Sequence, residues 1–261
     1  MPPKRVRFAD ETSIPKVIYQ TWKTKQVPEE MQKYRNKWLK QYPASKGWKH
    51  VLLDDNDLLQ LVQTHFPQYV SAYQGFRKNI ERVDFARYVL LYAHGGIYSD
   101  LDVDPLKDIS VWLQHGKIVL GTEPVEHARE LYGKERLLCN AFMISPPRQE
   151  FWKAFMDYII TNYNRQEDPV QNTGPYAMTM FYEKNPQFEK DIIVTEPCIF
   201  YPLKKDGSVT EGCNMEKFSY VAHVWNGSWL EWPSPTSPVV LLLILFIVLW
   251  LILWWRSRKA S

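Results

Sequence analysis

Three Asp-x-Asp triplets stand in this chain: Asp55-Asn56-Asp57, Asp100-Leu101-Asp102 and Asp102-Val103-Asp104. Carboxylates at this spacing can share a hard divalent cation with a substrate's phosphates, because Mg²⁺ and Mn²⁺ take oxygen ligands and are often held by only one or two side chains. An ion so placed offsets the charge that grows on a diphosphate leaving group. The first triplet precedes Leu58, Leu59, Leu61 and Val62 and reads as a helix N-cap. A calcium-loop reading of Asp100, Asp102 and Asp104 fails, since Pro105 takes the sharp-turn glycine position and Val111 stands where the bidentate Glu belongs. Taken alone, Asp100 and Asp102 fit a solvated loop as well as an ion site.

What separates these readings is the elements that carry the carboxylates. Asn79 to His94 is the longest helical stretch, closed by Gly95-Gly96, residues that tolerate the positive φ a helix end requires. Ile97 to Ser99 then forms a short strand that delivers Asp100. Upstream, Lys16–Thr21 and Lys49–Leu53 read as strands, Glu29–Lys40 and Leu58–Phe66 as helices. Downstream, Lys117–Gly121 and Ala141–Ser145 read as buried strands and Gln149–Tyr163 as a helix. This alternation predicts a mainly parallel sheet covered by helices, and in such folds ligands bind beyond the carboxyl ends of the strands, where Asp100 and Asp102 would lie.

With 261 residues, the chain suits one α/β domain plus its tails. Its formal charge of +3 is concentrated in Lys4, Arg5, Arg7, Arg256, Arg258 and Lys259, which leaves the body near neutral and argues against a nucleic-acid binder. Cys139, Cys198 and Cys213 are an odd set without metal-site spacing or a disulfide framework, so reducing conditions are expected. Residues 1–13 read as a disordered basic tail without a secretory h-region. Residues 233–238 read as a proline-containing linker, 239–255 as an apolar transmembrane helix, and 256–261 as a basic tail. Basic residues after the span favour a luminal domain under the positive-inside rule. A C-terminal anchor that moves only a short tail across, together with unpaired cysteines, favours a cytosol-facing one, and this second orientation is the expectation here.

Arg82-Val83-Asp84-Phe85-Ala86-Arg87-Tyr88, followed by Gly95-Gly96-Ile97-Tyr98-Ser99-Asp100-Leu101-Asp102-Val103, closely resembles the sugar-binding region of glycosyltransferase family 32. That group includes fungal mannosyltransferases acting on glycans and on inositol phosphorylceramide. Ile14 to Trp22 is similar to the family's opening strand, Asn140-Ala141-Phe142 to its mid-domain asparagine segment, Thr173-Gly174-Pro175 to a later loop, and His223 to Trp229 to its closing motif. The resemblance covers residues 14–232 and departs from the family at Tyr19, where histidine is usual, and at Val224-Trp225-Asn226.

It implies a GT-A type nucleotide-sugar-binding fold over those residues and a retaining, Mn²⁺- or Mg²⁺-dependent transfer of a hexose. The donor would be GDP-mannose or a UDP-hexose, and the acceptor lipid-linked or a glycan. Asp102 would bind the ion directly, Asp100 the donor ribose or the ion's water shell, and His223 the same ion or phosphate. Asp84 and Arg87 would hold sugar hydroxyls, Asn140 the sugar or acceptor, and Gln20 and Trp22 the nucleotide, with Trp22 against the base. Trp225, Ser228 and Trp229 would form a closing flap. Without the family, Asp84 and Arg87 could be a surface i, i+3 pair, though Val83, Phe85, Ala86, Val89, Leu90 and Leu91 make their helix apolar around most of its girth and point to burial; His223 and Trp22 could be ordinary core residues. A haloacid-dehalogenase-like phosphotransferase with Asp100 as nucleophile, or a tethered sugar-binding protein without turnover, remain alternatives. Separately, Lys4-Arg5-Val6-Arg7-Phe8 resembles a docking motif for type 1 protein phosphatase, with Val6 and Phe8 as anchors.

Overall fold

The computed structural model describes residues 13–227, together with Phe246 and Trp250. The chain divides into a unit ending at Trp225 and a second from Asn226 onward, and the fold is that of the first unit. Val6 and Phe8, Ser228 and Trp229, the linker, and all but Phe246 and Trp250 of the expected span lie outside the described residues. No helix among the described residues is long and apolar enough to cross a membrane.

Six strands form the main sheet: β1 (Val17–Thr21), β2 (Lys49–Leu53), β3 (Gly96–Ser99), β5 (Ile118–Thr122), β6 (Leu138–Ser145) and β7 (Ile192–Thr195). Their order is β2-β1-β3-β6-β5-β7. Strand β1 pairs parallel with β2 and β3, and β5 parallel with β7, but β6 runs antiparallel to both of its neighbours. Five of the six strands therefore run the same way, as the mainly parallel expectation has it, and β6 alone is reversed. The apolar run of β6 reads the same in either direction, so its polarity was not legible. A separate antiparallel pair joins β4 (Val103–Pro105) to β8 (Val221–His223), with Val103 opposite His223.

Alternate residues of each strand enter two cores, as a pleat of period two requires. Tyr98, Leu120 and Met143 pack on one side with Phe85, Val89, Phe151 and Phe155. Ile97, Val119, Phe142 and Ile144 pack on the other with Trp38, Tyr42 and Phe200. Covering helices explain why β5 and β6 are apolar on both faces. On the first side lie α2 (Asp55–His65), α3 (Asn79–His94) and α5 (Glu150–Asn162). On the second lies α1 (Glu29–Gln41), whose buried Trp38 donates its indole N–H to the carbonyl of Val103 at 2.8 Å.

Helix α2 begins one turn earlier than its apolar pattern suggested. Asp54, rather than the triplet after it, is the N-cap, and Asp57 returns the bond to Asp54's backbone to complete a capping box. At the other junction Gly95 has φ 61° and ψ −166°, a region open essentially only to glycine, and a Cβ there would lie 2.6 Å from the backbone nitrogen of Pro147. The cysteines also depart from expectation. Cys198 and Cys213 are disulfide-bonded, leaving Cys139 buried and free. Three cysteines without a framework pattern give no pairing from spacing alone; here the fold returns the chain to itself after fifteen residues.

Candidate active site

The parallel strands β1, β3 and β5 end on one edge of the sheet, and antiparallel β6 begins there. This gathers Thr21, Asp100, Glu123 and Asn140. The backbone N–H of Asp100 donates to the carbonyl of Ala141 at 2.8 Å, which fixes the turn out of β3. Asp102 is drawn toward β8: its carbonyl accepts from the N–H of Val224 at 3.0 Å, and its Oδ1 lies 3.1 Å from Nε2 of His223.

Asp100, Asp102 and His223 each offer a ligand atom within 4.8 Å of the others. Adjacent ligands of an octahedral ion at bond lengths of about 2.0–2.1 Å lie about 3 Å apart, which matches the Asp102–His223 spacing. Two carboxylates and an imidazole are a donor set that could hold a divalent ion, and the imidazole favours a transition metal over Mg²⁺. Electrostatics agree. Burial pushes the His223 imidazole down, but the carboxylate and hydrogen bond of Asp102 outweigh it and raise its pKa, so this pocket favours positive charge. Its Nδ1 is buried without a hydrogen-bond partner among the described residues.

Next to this cluster lies a closed polar network on α3. Asp84 is 4% exposed; it accepts from Asn140 Nδ2 at 2.9 Å and Thr173 Oγ1 at 2.9 Å and is ion-paired with Arg87, whose Nη2 lies 3.2 Å away. Arg87 donates to the carbonyl of Asn140 at 2.8 Å, approaches Asp100 at 3.5 Å and lies over the ring of Tyr98 at 4.5 Å. Tyr98 donates to Asp100 at 2.6 Å and bonds Thr21 at 3.0 Å. Burial raises the Asp84 carboxyl to about 6 despite Arg87. Burial opposes the Arg87 charge, but Asp100, Tyr98 and Asp84 together hold its pKa above the ordinary value. The pair is thus internal, not a surface i, i+3 contact, and its charges already have protein partners. Nε of Arg87 has no hydrogen-bond partner among the described residues.

Other expected residues are placed less directly. Gln20 is fully buried and faces α1, where its Oε1 accepts from Arg35 at 2.8 Å while Nε2 has no hydrogen-bond partner among the described residues. Trp22 is partly buried just past β1, with its backbone N–H on the carbonyl of Leu53. Trp225 packs on the cluster: its ring centroid is 4.2 Å from that of His223, and its indole N–H donates to the carbonyl of Leu203 at 2.7 Å. Sequence reasoning missed Tyr98, Glu123 and His127. The first was quoted within the strand without a role, and the last two carry no motif; only the end of β5 marks them.

The edge of this α/β sheet thus holds an Asp-x-Asp carboxylate pair beside a buried polar network. Residues 28–119 match the family described as "Glycosyltransferase sugar-binding region containing DXD motif". It is 36% identical to inositol phosphoceramide mannosyltransferase 3 of Schizosaccharomyces pombe, over 39% of this chain and 30% of that one. It is 33% identical to the mannosyl phosphorylinositol ceramide synthase SUR1 of Saccharomyces cerevisiae, over 66% of this chain and 42% of that one. The matched region thus spans less than half the length of these two relatives. Among solved structures, the PaToxG glycosyltransferase is similar with a TM-score of 0.51 and 19% identity, over 68% of this chain and 72% of that one, a likeness of fold alone.

Proposed function

We propose that this chain is a metal-dependent, retaining glycosyltransferase that moves a hexose, mannose from GDP-mannose, to a lipid-linked or glycan acceptor at a membrane. The observation that carries the reading is the convergence of Asp100, Asp102 and His223 within 4.8 Å, against the buried Asp84–Arg87 pair. The fungal relatives named for mannose transfer to inositol phosphoceramide support the sugar and the acceptor class. When bound, the ion would neutralise charge on the departing diphosphate.

The chain's own groups would do the rest. Asp102 and His223 would hold the ion and Asp100 its water shell or the donor ribose. Arg87, pinned by Asp84 and the Asn140 carbonyl, would present its guanidinium edge to the sugar at a fixed angle, with Asn140 beside it. Gln20 and Trp22 would line the nucleotide side, and Trp225 with Ser228 and Trp229 would close over the phosphates. A phosphotransferase using Asp100 as nucleophile leaves the Asp84–Arg87–Asn140 network without a task. Incubation with GDP-mannose and UDP-hexoses, Mn²⁺, and lipid or soluble acceptors, read by mass spectrometry, tests the proposal. A hexose added to one acceptor class supports it; cleavage of no donor with any acceptor contradicts it.

The Cys198–Cys213 disulfide bears on topology, because such bonds persist mainly in oxidising compartments. Together with the basic residues after position 255, it favours a luminal catalytic unit over the cytosol-facing one expected from the sequence.

A further inference from the structure

Glu123 and His127 are acidic and basic groups that the proposed reaction does not use, yet both are buried, each 5% exposed, at the same sheet edge. Glu123 follows β5, and His127 lies in the next helix, α4 (Val125–Tyr132). Nδ1 of His127 is 3.2 Å from Oε2 of Glu123. Its other nitrogen, Nε2, accepts from the backbone N–H of Lys205 at 3.2 Å. A backbone N–H can only donate, so Nε2 carries no proton, Nδ1 does, and the ring points its N–H at Glu123. Both nitrogens are occupied, which locks the ring.

The locked ring meets Trp225 edge-on, with centroids 4.8 Å apart, and Trp225 also packs on His223, with centroids 4.2 Å apart. Trp225 is itself held in an uncommon backbone state, φ 55°, which a bulky residue keeps only where its surroundings impose it. Its indole N–H is tied to Leu203, in the same loop that bonds His127 through Lys205. That loop is closed by the bridge between Leu203 and Val209 and by the Cys198–Cys213 disulfide.

We infer that Glu123 and His127 are a positioning pair: through Trp225 and the 203–209 loop they fix the imidazole of His223 where it meets Asp102, and so set the affinity of the site for its divalent ion. The inference rests on the proposed ion site and adds the element that builds its third ligand. Neither residue touches the reacting atoms. The role of Glu123 is that of a hydrogen-bond acceptor, for which charge is not required.

The test uses full-length protein and Mn²⁺ alone, with free Mn²⁺ read by electron paramagnetic resonance, alongside steady-state transfer at varied Mn²⁺. Glu123→Ala and His127→Phe are expected to weaken Mn²⁺ binding by roughly tenfold or more, with kcat recovering at saturating Mn²⁺. Glu123→Gln, which keeps an acceptor for the ring N–H, is expected to stay near wild type. Mn²⁺ affinity unchanged in Glu123→Ala while Asp102→Ala loses it overturns the inference and leaves the ion site standing. A Glu123→Gln variant inactive at saturating Mn²⁺ also overturns it, since Glu123 would then act in the chemistry. Binding that is absent in wild type, or unaffected by Asp102→Ala, removes the ion site and the inference together.

Discussion

At the scale of single residues, each acidic group at the edge has its own consequence. Arg87 is wedged between Asp84, Asp100 and the Asn140 carbonyl in a geometry that needs a planar fork, and an ammonium cannot replace it. Arg87→Lys is therefore expected to weaken binding of intact donor by about tenfold or more while leaving free nucleoside diphosphate within about twofold, as calorimetry of both ligands would show. Equal losses would mean that the pair serves the helix alone. Asp84 gives a pH signature. Its folded pKa, about 6, lies above the ordinary 3.8, so the folded state binds the proton more tightly. The Asp84 contribution to stability then falls as pH rises from about 4 to about 6 and stays at its lower value beyond. Asp84→Asn lacks this titration, and melting curves at pH 4 to 7.5 should show wild type gaining on the variant toward acid. Parallel curves would contradict the assignment.

At the scale of elements, the junction from α3 to β3 is what aims Asp100. Gly95→Ala would bring a Cβ within 2.6 Å of the Pro147 nitrogen and force a backbone region nearly closed to alanine. A loss of at least about 1–3 kcal/mol in unfolding free energy is expected, measurable by denaturant titration; a neutral effect would show that the junction relaxes freely. This helix was legible from the sequence with both ends correct, because its apolar run is long and glycines stop it. Strands β1 and β2 were legible because short apolar runs lie between polar turns. The direction of β6 was not, nor were β4 and β8, three residues each, whose pairing depends on contacts across more than a hundred positions. The site divides along the same line. Asp84, Arg87, Asn140, Asp100, Asp102 and His223 were singled out through motif resemblance, and the fold brings all six together. Glu123 and His127 sit in no motif, and their pairing emerges only once β5, α4 and the 203–209 loop are in place.

At the scale of the whole molecule, the disulfide and the sequon Asn226-Gly227-Ser228 bear on the same question of compartment. A luminal catalytic unit predicts an endoglycosidase-sensitive mass shift that disappears in Asn226→Gln, together with a linked Cys198–Cys213 peptide in digests of unreduced protein. An unmodified Asn226 with three alkylatable cysteines would return the unit to the cytosol. The central claim, a divalent ion held by Asp102 and used in sugar transfer, is tested most directly by hydrolysis of GDP-mannose under metal control. Wild type stripped with EDTA should be inactive and recover with Mn²⁺. Asp102→Ala, its melting temperature unchanged, should fall by about 10²–10³-fold in kcat and recover with no divalent ion. Turnover by Asp102→Ala at the wild-type rate, or by wild type in excess EDTA, would contradict the account.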